Sequence, residues 1–280
     1  MKKSISIILV IILILSVFAS CTGKGKPKEP EQPTPSNTTE DVAKTDDVSS
    51  TEPEVTEKRE KKYTLKEGEK LETKYITEKY SYSGKFRWCD DETQSIEDYV
   101  LRLPQLKSSS DSAKALNKRI CDEYEEMIEK SIEAYEFECY LVNKVSWESY
   151  LYNDIISIVI TTRDYMTTFS YYSVYNFNVK TEKEVTNSEI LKSVGLTESE
   201  FISKTKEAAK EEFSKVDFSH VAGGEEIKKE ELEYMLSEDN ISINTPIFID
   251  DSGTLNAIIK ICQSTGVDHE YDKYEIIKIK

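Results

Sequence analysis

Apolar residues recur every three or four positions between Ser110 and Tyr135, at Leu116, Ile120, Tyr124, Met127, Ile128 and Ile132. That spacing lays them along one stripe of a helix, which Asp111 or a neighbouring serine can cap. Thr197, with Glu200 three residues later, makes a capping box for a second helix that buries Phe201, Ala208, Ala209 and Phe213. A third helix is expected from about Glu225 to Leu236, after Gly223-Gly224. Elsewhere the period is two. "KYITEKYSYSG" (74 to 84) and "FECYLVNKVSW" (137 to 147) read as strands, the latter with Phe137, Cys139, Leu141, Val145 and Trp147 on one face and only Asn143 interrupting. "YLYNDIISIVITT" (150 to 162) follows, with a turn at Asn153-Asp154 that pairs the two runs as a hairpin. In "SYYSVYNFNVKTEKEVT" (170 to 186), Tyr171, Tyr175, Phe177 and Val179 share a face, and Lys180 to Lys183 turn the chain into a short returning strand. "ISINTPIFID", a turn at Asp250 to Gly253, "TLNAIIKIC" and "YEIIKIK" close the chain as strands. Helices and antiparallel strands in separate runs predict an α+β fold of antiparallel sheets with packed helices. Two small modules in tandem are expected, at 63–165 and 166–280.

The N-terminal pattern is of another kind. Lys2 and Lys3 precede an apolar run from Ile5 to Phe18, which ends in Ala19-Ser20 before Cys21. The run is shorter than the roughly 20 residues a spanning helix needs and has the layout of a secretory signal over residues 1–20. Phe18-Ala19-Ser20-Cys21 resembles a bacterial lipobox, with Phe where leucine is commonest. That resemblance implies a diacylglyceryl group on Cys21, and two acyl chains are what stable anchoring takes. An uncleaved anchor helix with an incidental cysteine is the alternative. Residues 22 to 62 contain no aromatic residue and five of the seven prolines. Such a segment buries too little apolar area to offset its ordering entropy, so 21–62 is expected to be a disordered, lipid-anchored linker reaching roughly 35 Å.

Charge narrows the partners. The chain carries 37 basic and 53 acidic residues, a net charge of −16, and the same imbalance sits on residues 63–280, with 27 basic against 43 acidic. A surface this acidic repels phosphate backbones and anionic lipid headgroups, so no nucleic acid partner is expected. Cationic partners are favoured, although a solubility device explains the same charge.

Candidate chemistry is sparse, and no cofactor is expected. Cys89, Cys121, Cys139 and Cys262 follow Cys21, and four cysteines allow three disulfide pairings or free thiols. No CxxC or Cys/His spacing points to zinc, and no metal site is expected. His220 precedes "VAGG" in a loop, and His269 lies in "VDHEYDKYE", which reads as an exposed acidic loop or as ligands for a divalent ion. "DDSG" (250 to 253) resembles a fragment of a calcium loop but lacks its alternating ligands, and a hairpin turn accounts for it. Tyrosine is the informative excess, with 17 in all. If Tyr171 and Tyr175 face the core, Tyr172 faces outward. A binding face is therefore expected around Tyr172, Tyr150 and Tyr152, where rings can stack on sugars or anchor a protein. Ordinary strand propensity and half-buried packing are the alternative.

Three stretches resemble a known family. "YVLRLPQLKSSSDSAKALNKRI" (99 to 120), with Asn117, is similar to the opening of the exported domain of lysozyme-sensing anti-sigma factors of the RsiV type, which also accompanies certain peptidoglycan deacetylases. "SVYNFNVKTEKEVTNSEIL" (173 to 191) resembles the second module of that pair, in which a strand runs through a turn into a short helix. "FIDDSGTLNAIIKI" fits that module's last hairpin, and together the match spans about residues 70 to 280. The family's Gly-Gly-Ala-His stretch is replaced by "DYMTTFSYYS", so that loop's role is not carried over. Only a few residues precede the apolar run, so this chain is not expected to hold a sigma factor in the cytoplasm. Nor is an appended deacetylase domain expected. This resemblance and that of residues 18–21 to a lipobox together imply a lipid-anchored binding module on the outer face of a bacterial cytoplasmic membrane, held there by lipid on Cys21. It would recognise a cationic, lysozyme-like wall-associated protein or a wall glycan. A wall-glycan hydrolase or deacetylase using carboxylates or a bound metal, and a spacer without ligand, are the competing expectations.

Overall fold

The structure, a computed structural model, describes residues 65–87, 96–137, 144–163, 169–219, 223–264 and 270–279. Within them the strands are β1 (Lys66–Glu67), β2 (Ile76–Arg87), β3 (Ile96–Leu106), β4 (Lys144–Tyr152), β5 (Ile155–Arg163), β6 (Ser170–Asn178), β7 (Lys183–Glu184), β8 (Ile247–Ile249), β9 (Leu255–Ser264) and β10 (Glu270–Lys278). The helices are α1 (Asp111–Phe137), between β3 and β4, then α2 (Asn187–Ser193), α3 (Glu198–Ser214) and α4 (Gly224–Met235), between β7 and β8. The fold is α+β, as the periodicity predicts.

β1 to β7 form one sheet in chain order, and β10, β9 and β8 form a second. Neighbours are antiparallel except β3 and β4, which α1 connects as a crossover and which meet in parallel at a single pair, Leu101 with Val145. α1 lays Leu116, Ile120, Tyr124 and Ile128 against Leu101, Leu103, Ile156, Ile158, Ile160 and Phe177. Helices α2 to α4 supply Leu191, Phe201, Phe213 and Met235 to a separate core with Ala257, Ile259 and Ile261 of β9. Between the sheets lies a third cluster, Val159, Phe248 and Ile258. The layers therefore run α1, larger sheet, smaller sheet, remaining helices.

That order explains "IISIVI". Ile155 through Ile160 are all buried because β5 has α1 on one face and the smaller sheet on the other. A strand covered twice reads as a continuous apolar run.

The structure differs from the sequence reading in three places. α1 continues through Phe137 and β4 begins at Lys144, so Phe137 is helical and not a strand residue. The helical period carries on to Tyr135, which is fully buried, stacks on Tyr99 at 4.8 Å and donates its hydroxyl to the Lys85 carbonyl. Gly84 makes room for it, since a Cβ there would strike the Tyr135 ring. The strand expected in "ISINTPIFID" is confined to Ile247–Ile249. Beside β9, the Asn240 side chain takes the place of a strand. Its Oδ1 accepts from the Lys260 N–H (2.9 Å), and its Nδ2 donates to the Lys260 carbonyl (2.9 Å). Finally, β5 and β6 pair at nine positions, so the larger sheet continues across the 165/166 boundary expected between modules, whereas the apolar cores, Tyr152 apart, change over after Val179.

Two open points are resolved. The cap of α1 is Ser110, whose Oγ accepts from the Ala113 N–H at 3.2 Å. Asn153, with φ 53°, and Asp154 form the two-residue turn between β4 and β5. Cys121 and Cys262 lie in different cores. Cys21, Cys89, Cys139, His220 and His269 fall outside the described residues. No helix among the described residues is long and apolar enough to cross a membrane.

Candidate functional site

The three tyrosines expected on a binding face have separate surroundings. Tyr150 stacks on Phe248 (centroids 5.2 Å, planes 19° apart) and gives its hydroxyl to Glu148 at 2.5 Å. Burial first, and the Glu148 carboxylate second, raise its pKa well above the usual phenol range. Tyr152 packs on the second core with its ring over Gly253, at φ 84°, where any Cβ would collide with it. Tyr172 is half-buried against the Val159–Phe248–Ile258 cluster. Alternation does turn Tyr172 away from α1, but that face of the sheet meets the smaller sheet instead of open solvent.

Tyr172 nevertheless borders two cavities. The first, about 330 Å³, is lined by Tyr171, Tyr172, Tyr234 and Tyr274 with Asp239, Asn244 and Lys260. Tyr171 is 45% and Tyr234 42% exposed, so rings with free faces stand at its mouth. Tyr171 meets Tyr274 at 5.7 Å with planes 58° apart, and the Lys260 ammonium lies 5.6 Å from the Tyr274 ring centre, within cation–π reach. Asn240 builds the wall by holding Lys260 and the Met235 carbonyl, and Thr245 Oγ1 holds the Asn240 carbonyl.

The second cavity, about 320 Å³, shares Tyr172, Asn244 and Pro246 with the first and adds Glu123, Ser173, Val174 and Tyr175. Glu123, on α1, accepts from the Tyr175 hydroxyl (2.6 Å) and from Ser173 Oγ (2.9 Å), and Ser173 Oγ accepts from the Tyr124 hydroxyl (2.6 Å). Burial, then the bond to Glu123, raises the Tyr175 pKa far above its ordinary value. Burial chiefly pushes Tyr124 up to about 12. Both phenols are therefore neutral donors at physiological pH, fixed by geometry and not poised for proton transfer. Glu123 also lines a third hollow on the α1 surface with Asp122, Glu126, Met127 and Lys130.

What joins the first two cavities is the outer edge of β6. β7 reaches only Phe177 and Asn178, so among the described residues Ser170 to Asn176 are paired by a strand on the β5 side alone. Val179 N–H bonds Asp154 and Val185 N–H bonds the Asn176 carbonyl, which fixes the alternation. Odd-numbered residues of β6 bond β5, and the N–H and C=O of Tyr172 and Val174 point outward.

Both carboxylates of the "DDSG" turn are engaged, Asp251 by the Leu151 N–H (2.6 Å) and Asp250 within the turn. Asp250 Oδ1 accepts from Ser252 N–H (2.9 Å), Ser252 Oγ (2.5 Å) and Thr254 N–H (3.0 Å), and the Ser252 hydroxyl chiefly holds its carboxyl below the usual range. Its carboxylate shapes a turn. Among the described residues no three His, Cys, Asp or Glu side chains are placed to hold a metal ion. Tyr234, Tyr274, Lys260 and Asp239 did not stand out in the sequence. They come from α4, β10, β9 and the segment after α4, and no local spacing connects them. Compared with protein-family models and with curated proteins, the chain matches none.

Proposed function

We propose that this chain is an extracytoplasmic binding module of the bacterial cell envelope. Lipid on Cys21 holds it at the outer face of the cytoplasmic membrane, residues 22–62 act as spacer, and the folded part engages a lysozyme-like wall-associated protein or a wall glycan. The observation that carries the reading is the tyrosine-lined cavity beside the open edge of β6. Exposed Tyr171 and Tyr234 supply broad, stiff contact faces, while Asp239, Asn244 and Lys260 supply polar contacts that fix orientation. The similarity of residues 99–120 and 173–191 to the exported domain of the lysozyme-sensing anti-sigma factors supports the same reading, as does a net charge of −16 against cationic partners.

Titration calorimetry of residues 63–280 with lysozyme and with soluble wall fragments, at low and at physiological salt, tests it. One of the two ligands is expected to bind at physiological salt, where unspecific attraction between opposite charges is screened, and Tyr171→Ala is expected to weaken binding about tenfold or more. Binding of neither, or binding indifferent to Tyr171 and Tyr234, contradicts the assignment. In cells, the wild-type chain is expected to partition into detergent, and Cys21→Ser to release the domain or leave an unprocessed precursor; wild-type protein found in the aqueous phase contradicts the anchor.

A further inference from the structure

We infer that the outer edge of β6 is a docking site for an extended, basic peptide segment of a partner protein, which adds to the larger sheet as one more strand. This rests on the reading above that β6 and its cavities are the binding face, and specifies what occupies it.

The edge is of an unusual kind. Exposed strand edges template pairing with other chains, and proteins blunt them with short strands, bulges, proline or charge. The other ends of the two sheets follow that practice. β1 and β7 are two residues each, and β10 carries five charged residues in its nine, Glu270, Asp272, Lys273, Glu275 and Lys278. "SYYSVYN" (170 to 176) has no lysine, proline or bulge, and pairs with β5 in unbroken register. Two outward N–H and two outward C=O groups, from Tyr172 and Val174, are thus available to a ladder. Cavities of about 330 and 320 Å³ adjoin that edge, with room for side chains on either side of an added strand.

Charge selects the occupant. Among the described residues Glu123 accepts hydrogen bonds from hydroxyls only, and Asp239 is exposed and meets no hydrogen-bond or ion-pair partner. Lys260, the cation in the first cavity, faces the Tyr274 ring. One carboxylate therefore stands in each cavity to receive a lysine or arginine of the incoming segment. A second copy of this chain brings the same net charge of −16 to the contact.

The test uses residues 63–280 and four probes. These are a capped heptapeptide alternating lysine and valine, its glutamate counterpart, the lysine peptide N-methylated on alternate amides, and a soluble disaccharide-peptide wall fragment. The lysine peptide is expected to slow amide exchange at Tyr172 and Val174 about tenfold or more, and N-methylation to weaken its binding by about the same factor. Val174→Pro is expected to abolish peptide binding in a chain that still folds, because that amide makes no bond to β5. Should this variant misfold, the N-methylated peptide carries the test on wild-type protein. Equal affinity for lysine and glutamate peptides, indifference to N-methylation, or a dilution-dependent self-association that protects the same amides overturns the proposal. Tyr171-dependent binding of the wall fragment alone overturns it too, but leaves the binding face standing. If no probe binds, this proposal falls, and the binding face falls with it only if lysozyme also fails to bind in the titration described above.

Discussion

Replacing Glu78 with alanine is expected to destabilise the folded part by about 3–5 kcal/mol, the usual cost of stripping one partner from a buried charged cluster. Glu78 is 2% exposed and sits in β2 beside a register shift between Glu78 and Tyr80. Its Oε1 accepts from Trp147 Nε1 at 2.8 Å and from Arg102 Nη1 at 3.4 Å, and its Oε2 accepts from the Leu71 N–H at 2.8 Å. Trp147 is on β4 and Arg102 on β3, so one carboxylate spans three successive strands. It does so where the ladder is thinnest, since β3 and β4 share a single backbone pair. Alanine leaves an indole N–H, a backbone N–H and a guanidinium without their acceptor. Glu78→Gln keeps an acceptor for Trp147 and is expected to cost less. Urea unfolding followed by tryptophan fluorescence gives the difference, and a loss below about 1 kcal/mol for Glu78→Ala would refute the role.

The second large effect is expected at Asn117. Its Oδ1 accepts from the Leu106 N–H (2.8 Å) and its Nδ2 donates to the Leu106 carbonyl (3.0 Å), both bonds being buried. A side-chain amide from α1 thereby completes the end of β3. Asn117→Ala orphans both backbone groups and is expected to cost about 2–4 kcal/mol, lowering Tm by roughly 5–15 °C for a chain of this size. Asn117→Asp keeps the acceptor but turns an oxygen toward the Leu106 carbonyl, so it should not rescue. A Tm within about 2 °C of wild type for Asn117→Ala would show that water replaces the amide at no cost.

Asn117 and Asn240 also show where sequence reading stops. Asparagine reads locally as a turn or cap residue, and its use as a surrogate strand depends on a backbone 11 or 20 residues away. Features whose cause is local were legible. The stripe Leu116–Ile120–Tyr124–Ile128 gave α1, and Thr197 with Glu200 makes both reciprocal bonds of a capping box ahead of α3. Thr186 and Glu189 make the same box ahead of α2, a local signal that the reading of the sequence passed over. The faces of β6 were legible for Tyr175, Phe177 and Val179 toward α1 and Tyr172 away from it, but Tyr171, expected beside the first three, is exposed and meets Tyr274 instead. What covers the far face was not, because Phe248 and Ile258 arrive some 70 to 90 residues later. The tyrosine cavity is hidden for the same reason. Tyr171 and Tyr274 are brought together only by the packing of one sheet on another.

The strand order of the larger sheet has a consequence for the nascent chain. Because β1 to β7 are neighbours in both sequence and space, each strand meets its partner soon after synthesis, and α1 can close the first core long before the C-terminal strands exist. The reverse face has to wait. Val159, Val174, Tyr150 and Tyr172 find their cover only when Phe248 and Ile258 emerge, so a chain made N-terminus first passes through a stage with one finished core and a bare aromatic-aliphatic surface on its back. The last strands to appear act as its seal, and the interval before they do is when this protein is most open to adhesion by its neighbours.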